Sequence, residues 1–181
     1  MEIITVNTLH TFLQALGERY TQPGTLYLLG GCALCLLGNP RATQDVDYMV
    51  ELEPETAQAF QDVVDGLAAE MQLDLEVVPL AEFVPLPPQA RERRRLIGRY
   101  GQLDVYVFDL YSIALSKIAR GFESDLEDVE FLLRQGLIEW AELERHFEAV
   151  LPSAIQADII PSEFRAYFEE IRRRWGVTRS S

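Results

Sequence analysis

Only two cysteines and two histidines occur among 181 residues. That scarcity leaves no second cysteine pair and no nearby histidine with which Cys32 and Cys35 could build a zinc site. Neither His10 nor His146 falls in a motif, so a histidine-based hydrolase triad has no support. Positive charge is also scarce: 16 Lys and Arg stand against 29 Asp and Glu, a net charge of −13. Repulsion on that scale opposes broad affinity for nucleic-acid backbones. Apolar runs are short, LYLL at 26–29 and VYVF at 105–108 being typical, whereas a membrane-spanning helix needs about 20 such residues. No membrane association is expected. The opening MEIITVNTLHTF lacks a basic stretch followed by an apolar core, so no signal peptide is expected and the cytoplasm is the expected location.

What remains is the profile of a globular protein, 48% apolar and 25% charged. The length suits one domain with a real core, or a small domain carrying a helical appendage. Two basic clusters break the acidity, Arg91–Arg99 and Arg172–Arg174. A local basic groove on an acidic body is therefore compatible with the composition.

Periodicity divides the chain. Asn7 is a suitable cap for a helix over 8–19, with Leu9, Phe12, Leu13 and Leu16 on one face. Strands are expected at 25–29, 45–51 and 73–78, with a short helix at 32–37 and a longer one from Pro54 to about Met71. Residues 79–90 carry four prolines and read as a loop. RRRLIGRY and QLDVYVFDL read as two strands joined at Gly101. Helices follow over about 110–120, 125–135, 139–150 and 162–175. The expected fold is a mixed α/β (α+β) sheet flanked by helices over residues 1–110, followed by a helical C-terminal region over 111–181. The run RAYFEEIRRR in the last helix reads as a solvated face.

The chemistry concentrates in GGCALCLLGNPRATQDVDY, residues 30–48. Successive strand residues point to opposite faces, so Asp45 and Asp47 share a side. Two carboxylates that close repel unless a cation lies between them, and a hard divalent ion such as Mg²⁺ or Mn²⁺ is the economical partner. Such ions hold substrate phosphates in phosphoryl transfer. Gly30-Gly31, turning from strand into helix, would let backbone N–H groups approach a triphosphate without a Cβ in the way. The intervening Cys32-x-x-Cys35 has the spacing of a redox pair, but its Ala and Leu neighbours make the two thiols core residues.

This stretch resembles the signature of the DNA polymerase β-like nucleotidyltransferase superfamily: an apolar residue, a glycine pair, a spacer, then Asp-x-Asp among apolar neighbours. It is most similar to the AbiEii-like and related minimal nucleotidyltransferases, in which Arg-x-Ser/Thr-x-Asp-x-Asp follows, here Arg41, Thr43, Asp45 and Asp47. The resemblance implies metal-dependent transfer of an NMP from an NTP to a hydroxyl. The acceptor could be tRNA or another RNA end, a protein, or a small molecule such as a hydroxylated antibiotic, and families of this type occur in toxin–antitoxin and phage-defence settings with cognate partner proteins. It also implies a third carboxylate on a later strand, for which Asp104 is the first candidate and Asp109 the alternative, although Asp109 is better placed as a helix cap. Asp45, Asp47 and Asp104 would hold the metal, while Gly30, Gly31, Arg41 and Thr43 would hold the phosphates. Lys117, Arg120, Asp125 and Asp128 match a further family pattern. There Lys117 would neutralise the leaving pyrophosphate and Arg120 and Asp128 would assist at the nucleotide. A binding module that keeps the fold without catalysis is the alternative.

Overall fold

The structure, a computed structural model, describes residues 3–79 and 84–179, the side chains of 177–179 excepted. The expected 79–90 loop thus lies partly outside the described residues, at 80–83. The chain divides into two compact units, one comprising Met1–Val78 and Arg94–Phe108, the other Pro79–Arg93 and Asp109–Ser181.

The first unit is built on a five-stranded mixed sheet: β1 Gly24–Leu28, β2 Asp45–Leu52, β3 Asp74–Val77, β4 Arg95–Tyr100 and β5 Leu103–Val107. Their order is β3-β2-β1-β5-β4. β1 runs antiparallel to β2 and parallel to β5, while β3 runs parallel to β2. Period-two alternation separates the faces. Leu26, Leu28, Val46, Tyr48, Leu103, Val105 and Val107 are buried on one face. The opposite face carries Thr25, Tyr27, Asp45, Asp47, Asp104 and Tyr106, in the register Thr25–Asp104 and Tyr27–Tyr106.

Helices α1 Val6–Arg19 and α3 Ala57–Met71 cover the apolar face. Phe60 of α3 meets the Tyr48 ring at 6.3 Å and the Tyr20 ring edge-on at 5.1 Å. Each fully buried aromatic of this kind contributes about 2–3 kcal/mol of burial free energy. α1 starts before the expected Asn7 cap. Thr5 is the cap, its Oγ1 accepting from the Thr8 amide at 3.1 Å. The cause is tertiary: the Ile4 amide donates to the Thr43 carbonyl at 2.8 Å and fixes the chain's entry two residues earlier than expected. Helix α2, Gly30–Leu36, begins at the glycine pair itself.

The second unit is helical: α4 Leu110–Arg120, α5 Glu123–Arg134, α6 Trp140–Val150 and α7 Pro161–Arg179. Phe147 stacks on Phe168 at 3.9 Å and meets Phe164 at 4.8 Å, forming its aromatic centre. Arg172, Arg173 and Arg174 are not a free basic patch. Arg174 pairs with Glu123 at 2.7 Å and Glu170 at 2.8 Å, while Arg172 and Arg173 pair with Glu144 and Glu170. Among the described residues no helix is long and apolar enough to cross a membrane.

Candidate functional site

The glycine pair and the acid pair meet. Leu29, the last residue before α2, donates its amide to the Asp47 carbonyl at 3.0 Å, so the β1–α2 turn abuts the end of β2 that carries the acids. Gly30 has φ +55, a left-handed conformation that disfavours any Cβ. A Cβ there would lie 1.9 Å from Asp47 Oδ2, and one on Gly31 would lie 2.7 Å from Thr43 Oγ1 and 3.7 Å from an Arg41 guanidinium nitrogen. The space freed by the missing Cβ atoms is thus taken up by this chain's own Asp47, Thr43 and Arg41. Thr43 Oγ1 also reaches the Asp45 carbonyl at 3.5 Å, and Arg41 is oriented through its amide, which donates to Asn39 Oδ1 at 3.2 Å.

The two thiols between these halves are structural. Cys32 is fully buried and donates to the Leu29 carbonyl at 3.0 Å. Burial, with the nearby Asp47 charge adding to it, pushes its thiol pKa up to about 12. Burial raises Cys35 as well. Neither is an activated thiolate.

Asp104 does not join the acid pair. The parallel register sets it beside Thr25, and the antiparallel register sets Thr25 beside Glu51, so Asp104 is level with Glu51. Asp47 lies four residues further along β2, roughly 13 Å away in the strand direction. Asp104 is instead held by Arg99 at 3.7 Å, both side chains being substantially exposed. Asp109 caps α4, accepting from Tyr111 and Ser112 amides at 3.3 and 3.2 Å, and takes both prongs of the Arg93 guanidinium at 2.8 Å.

The acids that do stand beside the pair are on β3. Asp74 is the register partner of Asp45, and Glu76 that of Asp47. Opposite residues on neighbouring strands project to one face, so four carboxylates form two adjacent rungs. Residues 73–78, LDLEVV, are expected from the sequence only as a strand. Their alternating acids at 74 and 76 were the available signal, but nothing local shows that β3 pairs with β2. The all-oxygen donor set fits a hard divalent ion. As the side chains stand, no three His, Cys, Asp or Glu converge on one ion position among the described residues.

The remaining family positions form a cluster of their own in the helical unit. Lys117, the single lysine of the sequence, is buried, with Nζ 2.7 Å from Asp128 Oδ2 and 3.3 Å from Asp125 Oδ1. Arg120 Nε lies 3.1 Å from Asp125 Oδ2. The lysine ammonium is therefore engaged by two buried carboxylates, and the four residues act together as an ion network between α4 and α5.

None of the curated proteins compared matches this sequence. The fold is similar to that in the crystal structure of an antigenic nucleotidyltransferase-like protein from Paracoccidioides brasiliensis, with a TM-score of 0.51 and 18% identity over 91% of this chain and 95% of the other. At that identity the likeness speaks for the fold. The family model described as "Nucleotidyltransferase of unknown function (DUF6036)" matches residues 6–175, which takes in the glycine turn, both acid rungs and the Lys117 network. The chain belongs to this nucleotidyltransferase family.

Proposed function

We propose that this protein transfers a nucleoside monophosphate from an NTP to a hydroxyl acceptor, with Mg²⁺ or Mn²⁺ as cofactor. The observation that carries the reading is the packing of Gly30 on Asp47 and of Gly31 on Thr43 and Arg41, which makes the turn and the acids one constellation. Asp45 and Asp47 would hold the ion, with Asp74 and Glu76 as the neighbouring acids. Bound there, it would neutralise charge on the phosphates and the departing pyrophosphate. Arg41, Thr43 and the turn's backbone would hold the β- and γ-phosphates. The acceptor oxygen attacks the α-phosphorus, the bond to the bridging oxygen breaks, and pyrophosphate leaves. The hydroxyl proton passes to a carboxylate of the two rungs. Asp74, level with Asp45, suits that role better than Asp104, because it shares the site's end of the sheet.

An AbiEii-like identity and a defence or toxin–antitoxin setting, with a cognate partner protein, rest on the Arg41-x-Thr43-x-Asp45-x-Asp47 pattern. The test is incubation with Mg²⁺ or Mn²⁺, each α-labelled NTP, and tRNA, bulk protein or small hydroxylated compounds. Transfer by the wild type that Asp45→Asn abolishes supports the reading. Transfer that survives Asp45→Asn overturns it, and NTP binding without transfer to any acceptor assigns the chain to the non-catalytic alternative.

A further inference from the structure

On the acid-bearing face, one cation stands apart. Most arginines among the described residues pair with carboxylates, as Arg93 does with Asp109 and Arg99 with Asp104. Arg94 has no carboxylate partner among the described residues, in a chain with 29 acids. It is nonetheless held firmly. Its guanidinium lies 4.3 Å from the Tyr106 ring centroid, and Nη1 donates to Tyr27 Oη at 2.9 Å. Tyr27 in turn donates to Glu51 at 3.2 Å, which turns the hydroxyl's lone pair toward Arg94. The Tyr27 and Tyr106 rings stack at 5.8 Å beneath it.

The register locates this assembly relative to the acids. Tyr27 is level with Met49 on one side and Tyr106 on the other. Tyr106 is therefore two residues along and two strands across from Asp47, about 12 Å by strand geometry. That separation is within the reach of a nucleotide from its phosphates to its base. A guanidinium backed by an aromatic ring presents an outward planar face, on which a nucleobase stacks by dispersion and cation–π attraction. We infer that Arg94, seated on Tyr106, is the stacking surface for the base of the nucleotide whose phosphates occupy the Gly30–Asp47 turn. Tyr27 and Glu51 are positioning residues that hold the guanidinium in place. The inference rests on the nucleotidyltransferase reading above.

Calorimetric titration of the full chain with Mg²⁺-tripolyphosphate and with each Mg²⁺-NTP, for wild type, Arg94→Ala and Arg94→Lys, separates the two. The wild type should bind its preferred NTP about tenfold more tightly than tripolyphosphate, the usual scale of one base stacked on such a surface. Both variants should lose that advantage while binding tripolyphosphate as the wild type does, since lysine restores the charge but not the plane. Retention of the NTP advantage in either variant overturns the base-stacking role and leaves the phosphate site standing. So does a fall in tripolyphosphate binding in Arg94→Ala that Arg94→Lys restores, because Arg94 would then be a phosphate contact. If neither ligand binds the wild type, the nucleotide reading fails and this inference fails with it.

Discussion

Gly30→Ala tests how the turn and the acid pair are built together. At φ +55 an alanine carries a left-handed backbone penalty of about 1–2 kcal/mol. Its Cβ would also fall 1.9 Å from Asp47 Oδ2, 2.9 Å from Cγ and 3.3 Å from Cβ, so the carboxylate must rotate away. Overpacking of that kind adds about 1–2 kcal/mol even when a side-chain end yields. The single variant should therefore lose about 3 kcal/mol in urea unfolding. In an Asp47→Ala background the carboxylate is gone and only the backbone penalty remains, so the double-mutant cycle should show a coupling of about 1 kcal/mol or more. Gly31→Ala, with no positive φ, should cost less than Gly30→Ala. Additivity of Gly30→Ala and Asp47→Ala within ~0.5 kcal/mol would refute the contact.

Other residues give independent checks. Lys117→Met leaves Asp125 and Asp128 buried without their shared cation, and should cost about 3 kcal/mol or more by chemical denaturation; a loss below ~1 kcal/mol would show that the network is not closed to water. His146 is buried, which lowers its pKa, and Arg93 lowers it further while Asp109 and Glu142 oppose. Its folded pKa thus lies below the unfolded value, so its contribution is complete above about pH 6.5 and is lost as pH falls from there through the lowered value. Thermal melts from pH 7.5 to 5 should show this loss, and His146→Gln should flatten it; an unchanged slope would exclude His146 as the source. Cys32, with its pKa near 12, should resist a thiol reagent at pH 8 until the chain is unfolded, and rapid native modification mapped to Cys32 would contradict its buried placement.

Local signals carried much of the fold. Leu110–Arg120 matches the expected 110–120 helix because a capping aspartate precedes it and Gly121, in the left-handed conformation, ends it. The glycine turn and Asp45-x-Asp47 were legible for the same reason, since each motif lies within one short stretch. What could not be read was strand pairing. Asp104 looked like a third carboxylate because it sits on an apolar strand, yet the parallel β1–β5 register sets it level with Glu51. Nothing local marks Asp74 and Glu76 as the partners of Asp45 and Asp47, because a parallel neighbour is chosen through the whole sheet. Lys117 is a similar case. Its apolar helix face suggested a reach toward phosphate, whereas the fold closes Asp125 and Asp128 around it.

In the proposed function the paired acids and the glycine turn form one metal-and-nucleotide site. Electron paramagnetic resonance of Mn²⁺, titrated into the wild type and into Asp45→Asn with and without NTP, tests it directly. Protein-bound Mn²⁺ that NTP tightens is expected in the wild type and is lost in Asp45→Asn, a substitution that leaves the thermal melt essentially unchanged. Equal Mn²⁺ binding by both proteins, with no response to NTP, would contradict it.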